Sequence, residues 1–172
     1  MKKKIIILVA FILIVGVAIC FLPWKHKINK TLNGVQTMIG NNEYIEEITI
    51  AVTGTYNKYL FKDDTFYGAI STNIHGDIWS RDKGKLVFSD NNASMVSLSN
   101  DNNGYYFGNL LCSENFSEVL ILVCEKSGDG SYGWYGEDGV YIVAPAQNKV
   151  QAIETANKLR EKSVWLSQSS WE

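Results

Sequence analysis

Ile5 to Leu22 is a run of eighteen residues in which only Gly16 falls outside the hydrophobic set. At 1.5 Å per residue a helix of that length reaches about 27 Å, close to the roughly 30 Å hydrocarbon thickness of a bilayer. Lys2-Lys3-Lys4 precede the run and Pro23-Trp24-Lys25 follow it. An indole suits the headgroup level, and a lysine triplet beside the first apolar residue favours a cytoplasmic N-terminus. Residues 1–24 therefore read as a signal-anchor transmembrane helix. Lys25, Lys27 and Lys30 on the far side nearly balance the triplet. The orientation is thus less strongly specified than the span, and it sends the rest of the chain out of the cytoplasm.

Two other fates of such a segment fit less well. A cleaved signal peptide usually has a shorter apolar region ending at small residues of the A-x-A kind, and Ala18 and Cys20 are a poor match. Lipidation of Cys20 calls for a small residue before it, where Ile19 stands.

Charge is divided unevenly along the chain. All eighteen acidic residues lie beyond position 30, whereas six of the sixteen Lys and Arg lie within the first thirty residues. Residues 31–172 thus carry ten bases against eighteen acids, a net charge of −8. No nucleic-acid partner is expected, because neutralising phosphates needs clustered Lys and Arg.

Residues 25–42 mix Asn, Lys, Thr and Gly with scattered apolar residues and read as a juxtamembrane linker; residues 43–172 form the extracytoplasmic domain. From Glu46 the period becomes two: Ile48, Ile50, Val52 and Tyr56 share one face, Thr49, Thr53, Thr55 and Asn57 the other. Gly54 interrupts the series as a bulge would. Phe66 to Ile74 repeats the alternation, giving a long hairpin over 46–74. Ile78–Ser80 with Lys85–Phe88, and Met95–Leu98 with Tyr105–Cys112, read as two more hairpins. Val119 to Cys124 is apolar at every position, as a central strand covered on both faces is. Val140–Val143 is a further strand, closed by Pro145.

Between Ala146 and Lys162 the period becomes 3.6, with Val150, Ile153, Ala156 and Leu159 on one stripe. The fold class is α+β: a transmembrane helix, then a mainly antiparallel meander of about seven or eight strands, open or barrel-like, with one C-terminal amphipathic helix. A turn at Glu114-Asn115 places Cys112 opposite position 117 and Cys124 opposite 105, so these thiols do not face each other.

The most distinctive local sequence is Ser127 to Gly139, with five glycines, three aromatics and three carboxylates in thirteen residues. Long connections are where binding tends to reside. Tyr132, Trp134 and Tyr135 form a candidate stacking surface, with Asp129, Glu137 and Asp138 as hydrogen-bond acceptors. The competing reading has the aromatics plugging the sheet core while Gly and Asp make turns. Calcium is disfavoured, since Asp129, Ser131 and Gly133 do not reproduce the D-x-[DN]-x-[DN]-G spacing and no closing Glu follows. Asp90-Asn91-Asn92 and Asp101-Asn102-Asn103 read as solvated turns rather than cation ligands.

Catalytic sets are sparse. His75 is the one imidazole away from the membrane, and it lies in the turn-like Asn73-Ile74-His75-Gly76-Asp77. There is no HExxH, no CxxC pair and no Gly-Lys-Ser phosphate loop. No catalytic residue, metal or cofactor is assigned. The sequons at Asn29, Asn92 and Asn115 matter only in a cell that glycosylates exported proteins.

In general plan the chain resembles the short signal-anchored proteins common in Gram-positive bacteria, a resemblance carried by Lys2-Lys3-Lys4, the apolar run and Pro23-Trp24. It implies an anchor and no particular activity. The expectation is a membrane-anchored, non-enzymatic domain that binds a cell-wall ligand or a protein partner. A hydrolase acting on wall glycan or peptide, through Asp129, Glu137 or Asp138, is the first alternative. An accessory subunit of a membrane complex is the second.

Overall fold

A computed structural model describes residues 3, 4, 11, 16, 21–88, 96–100, 105–161 and 163. Most of the expected anchor, the Asp90 and Asp101 loops and most of the C-terminal tail lie outside the described residues. Among the described residues no helix is long and apolar enough to cross a membrane.

The protein is a mostly antiparallel β-sheet bent into a half-barrel, with one C-terminal helix. Its first strand, β1 (Trp24–Met38), pairs along its whole length with β2 (Asn41–Lys58), from Trp24 opposite Lys58 to Thr37 opposite Ile45. Here the structure departs from the expected linker at 25–42. Only Ile28 is buried in the first ten residues of β1. A backbone ladder needs no apolar alternation, so this half of the strand left no period-two mark. The register slips beyond Thr37, where Met38 faces Asn41 and residues 42–44 bulge from β2.

β3 (Asp64–Thr72) completes the expected long hairpin with β2. Gly54 is not a bulge. It sits opposite Gly68 in unbroken register, and a Cβ there would lie 2.7 Å from the Gly68 Cα and 2.8 Å from the Phe66 ring. The pair of glycines makes room for that ring. The expected second hairpin also differs: β4 (Gly76–Trp79) and β5 (Leu86–Phe88) each pair with β3, not with one another. A single 3-10 turn, Arg81–Lys83, carries the chain between them.

β6 (Val96–Asn100) and β7 (Tyr105–Cys112) form the third hairpin as expected. β8 (Val119–Val123) lies against β7, and β11 (Val140–Ala144) joins β8 to β1. The order β3-β2-β1-β11-β8-β7-β6 makes the seven-strand half-barrel, with short β4 and β5 on the β3 edge. Both also approach β6, so the two edges converge and the sheet curls.

That curvature explains two cores. Inside the bend lie Ile50, Tyr56, Phe66, Ile70, Leu110, Phe116, Ile121 and Ile142. Outside lie Leu111, Leu120, Leu122, Tyr141 and Val143, beneath helix α1 (Lys149–Arg160). β8 contributes alternate residues to each core and so is apolar throughout. On α1, Ala152, Ala156 and Leu159 are buried while Val150 stays 67% exposed, so the buried stripe begins two residues later than the sequence pattern indicated. Asn148 caps the helix by accepting from the Gln151 N–H at 3.0 Å. Lys149 Nζ donates to the carbonyls of Met38 (3.2 Å) and Asn41 (2.8 Å), tying the helix start to the β1–β2 turn.

Cys112 faces Val119, and the Cys124 N–H donates to the Phe107 carbonyl at 3.0 Å, two positions away from the expected register. Both cysteines are free. Burial pushes the Cys124 thiol up to about 11 and the Cys112 thiol higher still.

Candidate functional site at the mouth of the half-barrel

Residues 125–139 are a two-tier structure. Its tip is a small hairpin of β9 (Glu125–Lys126) and β10 (Tyr132–Gly133). The Asp129 Oδ1 accepts from the Ser127 hydroxyl (2.5 Å), the Ser131 hydroxyl (2.7 Å) and the Ser131 N–H (3.0 Å). These bonds favour the ionised carboxylate and bring its pKa down to about 2. Asp129 thus builds its own turn. Tyr132 is half-buried and meets the Tyr106 ring edge-on at 6.4 Å.

The second tier is closer to the sheet. The Trp134 indole N–H donates to the Val140 carbonyl at 3.0 Å, and its ring packs on the core beneath the helix. Gly139 is needed for this arrangement: a Cβ there would lie 2.2 Å from the Tyr135 carbonyl and 2.5 Å from Trp134 Nε1. With Trp134 turned inward, its neighbour Tyr135 turns outward and is 46% exposed. Glu137 and Asp138 are exposed as well.

Of the six candidate residues, Tyr135 and Asp138 come together. They line a recess of about 230 Å³ with Met38, Val123, Glu125, Gly139 and Val140. Met38 and Gln36 are two apart on β1 and so share its inner face. Val123 packs on the inner core, which makes the recess the mouth of the half-barrel rather than part of its outer wall.

Further inside, Gln36 is buried and holds a polar cluster. Its side-chain N–H donates to the Tyr44 hydroxyl at 2.7 Å, and its Oε1 lies 2.6 Å from His75 Nε2. The β2 bulge carries Tyr44. His75 also meets the Phe107 ring at 5.1 Å, reaching from the β3–β4 turn towards the opposite edge of the sheet. Burial lowers the His75 pKa and outweighs the opposing pull of Glu46, so the imidazole is neutral near pH 7. Among the described residues no group of three or more His, Cys, Asp or Glu side chains is placed to hold a metal ion.

Sequence reasoning missed Gln36, Met38 and Glu125. Gln36 and Met38 fell in the supposed linker, and Glu125 is recognisable only as the charge that ends the apolar β8 run. The chain was compared with protein-family models, curated proteins and solved structures, and none matches.

Proposed function

We propose that this chain is a membrane-anchored, extracytoplasmic binding domain whose ligand enters the mouth of the half-barrel and is a hydroxyl- or amine-bearing group of the cell wall. The observation that carries the reading is the recess that exposed Tyr135 lines together with Glu125 and Asp138. Tyr offers a flat face on which a sugar ring can stack, and two carboxylates accept hydrogen bonds from hydroxyls or amines. Mouths of β-barrels are common ligand sites, and a recess this small suits a single ring rather than a long chain. The export and anchoring of the domain rest on the apolar run and its lysine flanks.

The hydrolase alternative needs an acid and a base held either side of a scissile bond. Of Asp129, Glu137 and Asp138, only Asp138 lines the recess, where Glu125 is the second carboxylate. Isothermal titration of wall-glycan fragments into the full-length chain in nanodiscs tests the binding reading. Heat of saturable binding that disappears in Asp138→Asn, with the fragments recovered intact, is the expected result. Cleaved fragments would favour the hydrolase, and no heat with either protein would leave the recess without a wall ligand.

A further inference from the structure

The end of the half-barrel where the chain enters it carries an apolar tip with no protein partner among the described residues. Trp24 opens β1 directly opposite Lys58, the last residue of β2, so the β2–β3 loop sits beside the point where the apolar run joins the domain. At that loop Leu60 is 54% and Phe61 69% exposed, and next to them Phe21, Leu22 and Trp24 are all more than half exposed. The Phe61 and Phe21 ring centroids are 6.0 Å apart. Single exposed apolar residues are ordinary, but a contiguous group of five marks an interaction surface.

The loop is held in place. Asp64 accepts from the Tyr59 N–H at 2.8 Å and from the Tyr56 hydroxyl at 2.7 Å. The Lys62 ammonium lies 5.7 Å from the centre of the Tyr59 ring. Lys62 follows Phe61 in the loop, Lys25 follows Trp24 and Lys27 lies two residues further along β1; Asp63 and Asp64 are the acids of the loop, and Lys58 is paired with Glu114 at 2.5 Å. Aromatic and leucine side chains framed by lysines are the pattern of a segment that lies in a membrane interface.

We propose that Leu60 and Phe61, together with Trp24 and Phe21, seat in the extracytoplasmic leaflet of an anionic phospholipid bilayer and dock the half-barrel on the membrane that anchors it. This rests on the anchor reading of residues 5–22: Phe21 is the penultimate residue of that run and its ring lies beside that of Phe61, so the loop tip lies at interfacial depth. The mouth of the half-barrel, at Met38 and Val140, is at the opposite end of β1 from Trp24 and therefore faces away from the lipid.

The test uses the full-length chain in vesicles of phosphatidylcholine and phosphatidylglycerol, with one trifluoromethyl-phenylalanine at a time at position 14, 61 or 150. Fluorine NMR then compares broadening by a lipid-borne nitroxide with broadening by a water-soluble gadolinium chelate. The expected result is that positions 14 and 61 are broadened at least about threefold more by the lipid nitroxide, and 150 more by the chelate. If 14 responds to lipid but 61 responds to the chelate as 150 does, docking is overturned while the anchor stands. If 61 is protected from both reagents, a second copy or other protein covers the tip, and docking in lipid is again overturned. If 14 itself responds to the chelate, the anchor reading fails and takes the docking with it.

Discussion

The Asp129 carboxyl, held down to about 2 by the two serine hydroxyls and a backbone N–H, has a pKa below its unfolded value of 3.8. Its bonds therefore stabilise the hairpin tip above about pH 4, and that contribution is lost as pH falls through about 2. A carboxyl carbon NMR titration should give a midpoint near 2, moving up towards the ordinary carboxylate range in the Ser127→Ala, Ser131→Ala double variant. An ordinary midpoint in the unaltered protein would mean that the turn does not form in solution. Trp134 and Tyr135 are adjacent yet face opposite environments. Trp134→Ala removes packing from the core beneath the helix and should cost about 2 kcal/mol in urea unfolding. Tyr135→Ala should stay within about 0.5 kcal/mol, since it strips only an exposed ring. Both residues were visible in the sequence as one aromatic cluster; which of them turns inward depends on the Trp134–Val140 hydrogen bond and on Gly139, and neither is a matter of spacing.

At the level of elements, strands covered on a face announced themselves and strands without cover did not. β8 and β11 bury apolar side chains at nearly every position, and β2 does so at alternate positions from Ile48 to Val52, so their pattern was legible. Much of β1 is exposed, with Lys, His and Asn along its first half, and its ladder with β2 is written in backbone groups that all residues share. β4 and β5 resembled a hairpin because a turn lies between them, but the 3-10 turn lets each reach β3 instead. The join between β1 and β11 unites the two halves of the sheet, and it depends on Gly34: a Cβ there would lie 2.2 Å from the Val143 carbonyl and 2.7 Å from the Ala144 Cβ. Gly34→Ala should therefore destabilise the domain by about 3 kcal/mol. Gly128→Ala, at a position with open space around it, should change stability by less than about 0.5 kcal/mol. Equal small effects of both in chemical denaturation would contradict the close β1–β11 approach.

On the scale of the whole molecule, the half-barrel has two distinct ends. One carries the chain's entry and the Leu60–Phe61 tip; the other opens at Tyr135, Asp138 and Glu125. Two rim residues of the mouth, Tyr135 and Asp138, were legible in the sequence, because a Gly- and aromatic-rich connection stands out locally; Glu125 was not. The rest of the lining was not legible, because Met38, Val123 and Val140 are brought together by pairings between strands far apart in the chain. A ligand that binds only the folded state raises its unfolding temperature in proportion to the logarithm of concentration above its dissociation constant. The decisive measurement is thermal unfolding of the full-length chain in nanodiscs, titrated with wall-glycan fragments, alongside the Tyr135→Ala, Asp138→Asn double variant. A concentration-dependent rise in Tm that the variant lacks, from the same starting Tm, is the predicted result. An equal rise in both proteins would place the ligand elsewhere, and no rise in the unaltered protein would contradict a wall-binding mouth.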